Sequence, residues 1–223
     1  KDLLSVQGIG SLPPGSYLPY GPNPLFLGRE PELHFLASIL LPPGSERGST
    51  VAIVGIGGVG KSQLAIQFAY RFGRFFEGGV QWVNFSNEDT VQAAIARCGY
   101  VMHLHREYET LPLTDQVALV QQAWHEPIAR LIVFDDCASQ HQAATWRPRT
   151  GGARLLVTSR RSTTGWPAEY NSHSLAISTL PRSESVALLR TYLNSSDSQH
   201  QYTDAELNEV ATELGDLPLA LSL

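Results

Sequence analysis

Two short stretches carry residue types that could do chemistry together. In the first, "GIGGVGKS", four glycines fall within the six residues Gly55 to Gly60, and a lysine and a serine follow at once. A run so rich in glycine is a poor strand or helix former and costs conformational entropy, so something must offset it. Without Cβ atoms a loop can wrap an anion with several N–H groups turned inward, at the positive end of a helix dipole. The eight residues Gly55-Ile56-Gly57-Gly58-Val59-Gly60-Lys61-Ser62 match the pattern G-x-x-x-x-G-K-[ST] at every fixed position. The ligand implied is a polyphosphate, with Lys61 reaching its β- and γ-phosphates and the Ser62 hydroxyl ligating Mg2+. The rest of the chain avoids lysine: Lys1 is the only other one, and the remaining basic residues are arginines. A compact, flexible point charge at position 61 suits phosphate.

The second stretch is "RLIVFDD", residues 130 to 136, four large apolar residues ending in paired aspartates. It reads as a fully buried strand whose carboxyl end meets a site. Asp135 is expected to hold the metal, directly or through water, and Asp136 to orient or deprotonate an attacking water. A third stretch, "ARLLVTSRR", is another buried strand ending in Arg160 and Arg161. Either guanidinium could read a γ-phosphate with its bidentate fork, and Arg160 is preferred.

The elements that must position these residues follow from periodicity. The glycines lie between an apolar strand, 51–54, and a helical pattern over 61–72 carrying Leu64, Ala65, Phe68, Ala69 and Phe72. Further strands are predicted at 80–84, 131–134, 154–158 and 175–177, and helices at 30–41, about 89–98 and about 114–125. Strands and helices that alternate in this way imply an α/β fold with a parallel sheet covered by helices. From about residue 180 the chain is helical only, with Pro181 at one helix start and Thr203-x-x-Glu206 as a capping box for another. Residues 8–24 hold five prolines and four glycines and read as a linker or surface arm, with folded structure beginning near Leu25. The expected organisation is an arm over 1–24, a nucleotide-binding domain over 25–179, and the start of a helical extension over 180–223.

Composition narrows the partners. A net charge of −5 gives no global footprint for nucleic acid or an anionic membrane. Cys98 and Cys137 have neither disulfide-framework nor zinc spacing, and no apolar run approaches a membrane span, so a reduced, cytoplasmic protein is expected. A GTPase would carry N-K-x-D, which a chain with no lysine after Lys61 cannot provide. A small-molecule kinase would need an acceptor site and a basic lid, and neither is apparent. His103, His105, Tyr17, Tyr20 and Trp166 form no recognisable ligand pair or stacking platform.

The order of these motifs resembles the NB-ARC nucleotide-binding module of the STAND signalling ATPases, which include plant resistance proteins, apoptotic-protease activators and their bacterial and fungal relatives. The resemblance runs from "FLGRE" at 26–30, through the glycine loop, the Asp135-Asp136 strand and "VTSR", to "GDLPLAL" at 215–221. It implies a P-loop NTPase sheet with an ARC1-like helical extension, ATP or ADP with Mg2+ as ligands, Gly28 and Arg29 on the nucleoside side of the pocket, and Pro218 against the adenine. Gly57, Gly58, Val59, Gly60, Lys61, Ser62 and Gln63 would surround the phosphates. It also implies a switch that hydrolyses ATP slowly and controls self-association through the full-length protein, with effector and sensor domains outside these residues. A transcription regulator built on the same ATPase core is the alternative. In the family a winged-helix segment with a nucleotide-contacting histidine follows; residues 1–223 reach only into the first helical extension, as in an excised module.

Overall fold

The computed structural model describes residues 8–41, 48–160, 172–195 and 202–222, with backbone only at 194 and 195. Five strands form one sheet: β1 (Thr50–Val54), β2 (Val80–Asn84), β3 (Arg130–Asp135), β4 (Ala153–Ser159) and β5 (Ser172–Ala176). Their spatial order is β2-β3-β4-β1-β5, and every pairing is parallel. The glycine-loop strand β1 therefore lies between β4 and β5, and β4 separates it from the aspartate strand β3. Because all strands run the same way, Val54, Asn84, Asp135 and Ser159 end at one edge of the sheet. In an open parallel sheet that carboxyl edge is where ligands bind.

The period-2 alternation of strand side chains splits the core in two. Leu131 and Val133 join Val51, Ile53 and Leu156 on one face, packed under α1 (Glu30–Leu40) and α2 (Lys61–Phe72). Ile132 and Phe134 join Leu155 and Val157 on the other, packed with α3 (Glu88–Val101), α4 (Leu113–Trp124) and α5 (Gln140–Trp146). The result is a helix–sheet–helix sandwich. Each fully buried aliphatic side chain contributes about 1.5–3 kcal/mol of hydrophobic stabilisation, which is why strands buried on both faces read as unbroken apolar runs.

A third, smaller core belongs to the extension. Leu188 and Leu189 of α6 (Arg182–Ser195) meet Leu207 and Ala211 of α7 (Asp204–Glu213) and Leu221 of α8 (Pro218–Leu221). The Thr203–Glu206 capping box is present at the start of α7. Arg182 ties the unit together: its guanidinium pairs with Asp216 at 2.7 Å and donates to the Asn208 carbonyl and the Thr212 hydroxyl.

Several elements differ from the sequence expectation. Helix α3 continues past Cys98 through Gly99, a residue that normally weakens a helix. A Cβ at Gly99 would lie 2.2 Å from the Tyr108 hydroxyl, which bonds the Ala96 carbonyl at 2.8 Å, so the glycine admits the tyrosine. Helix α5 has too short an apolar pattern to be seen in sequence; it starts where Ser139 accepts a hydrogen bond from the Gln142 N–H. Strand β5 begins at Ser172 rather than 175 because pairing to β1, and not hydrophobic alternation, defines it, and its outward side chains are half or fully exposed. His103 sits in a turn at φ 52° and, like His105, is exposed. Trp166 and Arg161 lie outside the described residues.

Residues 8–24 contain no helix and no strand longer than one bridge, as their proline and glycine content implies. They are nevertheless packed well before Leu25. Tyr17 pairs with Gln81 at the edge of β2, its N–H donating to the Val80 carbonyl at 2.7 Å and its carbonyl accepting from Trp82 N–H at 2.9 Å. Leu12 and Leu18 reach the α1–α2 core, and Tyr20 meets Trp82 edge-on at 5.6 Å. Tyr17 and Tyr20 are thus packing residues.

Candidate functional site: the phosphate loop and its two carboxylates

The loop leaves β1 at Gly55, where a Cβ would stand 2.6 Å from the Ile177 carbonyl oxygen, so the close approach of β5's exit requires glycine. Gly58 and Gly60 take φ values of 77° and 97°, the left-handed region glycine tolerates at little cost. Gly60 caps α2, so the amides of the first helical turn and the positive end of the helix dipole face the loop.

Lys61 opens α2 and is buried, and its ammonium donates to the carbonyls of Gly55 at 2.9 Å and Ile56 at 2.8 Å. Burial pushes its pKa below the ordinary lysine value and the nearby Arg160 lowers it further, while Asp136 and Asp135 act in the opposite direction. A cation held down by burial and by a second cation is one that a phosphate would stabilise.

Asp135 ends β3 and is 6% exposed. Its Oδ1 accepts two short hydrogen bonds, from the Ser62 hydroxyl and from the Thr158 hydroxyl, both at 2.6 Å. Asp136, the next residue, has φ 54°, and this turn aims its carboxylate away from that of Asp135. It pairs with Arg160, whose Nε stands 3.3 Å from Oδ1 and whose Nη2 stands 3.3 Å from Oδ2. The Arg160 side chain is 70% exposed, so the pair is screened and contributes little to stability.

Arg29 has φ 64° and is buried. Its guanidinium pairs with Glu32 at 3.0 Å and donates to the Ser178 carbonyl and, at 3.5 Å, to that of Val59. It thereby joins the entry segment, the phosphate loop and the β5–α6 connection. From the extension, the Leu219 N–H donates to the Gly58 carbonyl at 3.2 Å, and Pro218 packs beside Gly60.

These groups surround one cavity of about 450 Å3. Of the residues singled out in the sequence, Arg29, Gly57, Gly58, Val59, Gly60, Lys61, Ser62, Gln63, Asp135, Asp136, Arg160 and Pro218 line it, whereas Gly28 does not: it faces the Glu184 carboxylate, 2.1 Å from where its Cβ would stand. The sequence reading missed Asn84, the last residue of β2, and Thr158, the last but one of β4, as site residues, although both lie at the sheet's carboxyl edge, which was a usable signal. It also missed the apolar wall of Leu25, Phe26, Leu27, Leu180, Leu188 and Tyr192, which no local pattern marks.

The donors fit the ligands expected. A hydroxyl and a carboxylate side by side suit Mg2+, which takes one or two protein oxygens and keeps waters and phosphates for the rest. The Ser62 hydroxyl gives its proton to Asp135, leaving its lone pairs for a cation. The loop glycines, the α2 amides and Lys61 suit phosphate, and the apolar wall suits a base.

The NB-ARC domain model matches residues 32–199, three quarters of the chain. The chain belongs to the NB-ARC family. A curated relative, a nucleotide-binding leucine-rich repeat (NLR)-like protein of the fungus Hyaloscypha variabilis, is 25% identical over 228 residues. The alignment covers 92% of this chain and 22% of that protein. Among solved structures, a signal transduction ATPase with numerous domains and a tetratricopeptide repeat sensor, from Pyrococcus horikoshii, is similar with a TM-score of 0.58 at 19% identity, over 90% of this chain and 30% of that one. Cdc6p from Pyrobaculum aerophilum is similar with a TM-score of 0.60 at 15% identity, over 92% and 62%. These structural likenesses show the P-loop NTPase fold. The NB-ARC module described here is thus built on that fold, and it spans less than a third of the length of the NLR-like and tetratricopeptide-bearing proteins it matches. No described helix is long and apolar enough to cross a membrane.

Proposed function

We propose that this NB-ARC module is an ATP/ADP switch that uses Mg2+, hydrolyses ATP slowly and controls the shape and self-association of a larger signalling protein. The observation that supports this best is the convergence of Lys61, Ser62, Asp135, Asp136 and Arg160 on one cavity at the N-terminus of α2. In this reading the loop amides and Lys61 hold the phosphates, and Ser62 and Asp135 hold the cation. Bound Mg2+ supplies charge neutralisation on the phosphate oxygens. Asp136 orients a water and takes its proton as the new P–O bond forms and the bond to ADP breaks. Arg160, released from Asp136, then has two donors for the γ-phosphate. Arg29, the other arginine lining the cavity, is engaged by Glu32 and two carbonyls. Among the described residues no second guanidinium stands ready to act as an arginine finger, a device worth roughly 10³ to 10⁵ in rate, and slow turnover is the expected consequence.

The switch reading is supported by the contact of α8 with the loop, since Leu219 bonds the peptide that a phosphate would approach. Pro218 lies on this same contact, and we assign it to the adenine side. The likeness to longer multidomain proteins supports further domains as partners, and two unpaired, buried thiols suit the reducing cytoplasm. The test is to denature purified protein and identify the nucleotide released, then to titrate the emptied protein with ATP, ADP and GTP. Adenine nucleotide is expected; equal thermal stabilisation by GTP and ATP would overturn the adenine assignment.

A further inference from the structure

Thr158 is fully buried at the end of β4, the strand that stands between the phosphate-loop strand β1 and the aspartate strand β3. Its pairing partner on β1 is Ile53, and the preceding residue Val157 pairs with Phe134 on β3. This register sets Thr158 beside the Asp135-Asp136 step. Its hydroxyl donates to Asp135 Oδ1 at 2.6 Å and accepts from the Asp136 N–H at 2.9 Å, and its carbonyl accepts from the Cys137 N–H at 2.9 Å. A hydroxyl has one proton to give, so the proton is committed to Asp135 and a lone pair to the Asp136 amide.

We propose that Thr158 is a positioning residue that couples the two carboxylates, fixing Asp135 on the metal side and Asp136 on the water side through one hydroxyl. The chemistry is directional. Asp135 as a carboxylate is acceptor-only, and an O–H···O⁻ bond of 2.6 Å is of the short, charge-assisted kind. Ser62 also donates to Oδ1, but Ser62 is itself placed to meet a cation, whereas the Thr158 hydroxyl, among the described residues, bonds only the two aspartates. On the other side, Asp136 holds φ 54°, a conformation that L residues seldom adopt without help. The bond from its N–H to Thr158 and the following one from Cys137 N–H pin that turn and aim the carboxylate at Arg160. Valine at 158 would fill the same space yet hold neither carboxylate, whereas serine would hold both.

The proposal rests on reading the cavity as a Mg2+-nucleotide site, and the test separates the two. In Thr158→Val the Asp136 amide loses its acceptor, so its hydrogen exchange, followed by NMR on protein without nucleotide, is expected to quicken by about tenfold or more, while Thr158→Ser stays near wild type. Binding of a non-hydrolysable ATP analogue is then measured with Mg2+ and with chelator. Loss of a buried bond to a charged group predicts that the Mg2+-dependent gain falls roughly tenfold to a hundredfold in Thr158→Val, with Mg2+-free ADP affinity held within about threefold. Hydrolysis per bound ATP is also expected to fall, and serine is expected to restore all three readouts. Thr158→Ala, which crowds nothing, serves if the valine variant fails to fold. Unchanged Asp136 exchange, or loss of Mg2+-free and Mg2+-dependent binding in equal measure without rescue by serine, would overturn the coupling role. A wild-type protein whose nucleotide affinity ignores Mg2+ would overturn the nucleotide reading, while the exchange experiment would still decide the role of Thr158.

Discussion

Asp135 and Asp136 are neighbours in the chain with different surroundings, and the difference predicts separable roles. Asp135 is buried against two hydroxyls, one of them the metal-side Ser62, whereas Asp136 is half-buried and turned toward Arg160. Asp135→Asn is expected to weaken Mg2+-dependent ATP binding. Asp136→Asn is expected to leave affinity within about threefold and to slow hydrolysis by roughly 10² or more, the usual loss of a general base. Titration calorimetry and single-turnover hydrolysis check this; equal affinity losses with unchanged hydrolysis per bound ATP would show the division to be wrong. Lys61→Ala should remove most of the stabilisation by ATP. That stabilisation is about 2.7 kcal/mol at a hundredfold excess over Kd, or about 5 to 11 °C in Tm for a domain this size. The two cysteines show the opposite use of burial. It pushes Cys98 up to about 12 and Cys137 up to about 11, so the Cys137 thiolate is only about one part in a thousand at pH 8. Both thiols should stay silent to an exchange reagent until the protein is unfolded. Because the folded values are raised, the unfolded chain releases these protons first, so stability should fall as pH rises above about 9. A native protein that reacts at once at pH 8 would contradict this.

At the scale of elements, the phosphate loop is held from both sides, by Ile177 after β5 and by α8 of the extension. Gly58 is the contact point. A Cβ there would stand 3.2 Å from Leu219 Cβ and 3.2 Å from Leu217 Cδ2, at φ 77°. Gly58→Ala therefore carries two costs, a left-handed conformation worth about 1–2 kcal/mol for an L residue and displacement of α8 from the loop. Gly57 has no atom within 4 Å of a would-be Cβ and no positive φ, so Gly57→Ala is the matched control. Gly58→Ala is expected to lower Tm by several degrees more than Gly57→Ala and to quicken hydrogen exchange in α8. Equal effects of the two substitutions would mean that the α8 contact contributes nothing.

For the whole molecule, nucleotide preference depends on contacts that differ between the ADP and ATP states, since a ligand that binds both states equally shifts neither. The loop, the metal side and the apolar wall serve both nucleotides alike, and Arg160, the γ-phosphate reader proposed above, is exposed and must first leave Asp136, so it adds little preference. ADP and ATP affinities of residues 1–223 should therefore agree within about tenfold, a difference below about 1.4 kcal/mol, and the species in solution should be monomeric with either. Calorimetry with ADP and a non-hydrolysable analogue, together with light scattering, checks this. A hundredfold ADP preference, or a ring formed with the analogue, would overturn this and show that residues 1–223 by themselves hold the switch states apart.

The positions along the chain of the sheet's buried strands, the start of α2 and the phosphate-loop residues were legible in the sequence because each is a local property: apolar runs of strand length, a 3.6-residue period, and glycines where backbone must approach a ligand. Thr203 and Glu206 announced their capping box for the same reason. The tertiary structure alone decided what depends on distant chain meeting. It set β4 between β1 and β3, which makes Thr158 a partner of both aspartates, 22 and 23 residues away in sequence. It laid the proline-rich arm against β2 through backbone hydrogen bonds, which any side chain can make and which leave no signature in composition. It also brought Leu180, Leu188 and Tyr192 to the wall of the cavity that the phosphate loop lines, because an apolar side chain carries no mark of which surface it will cover.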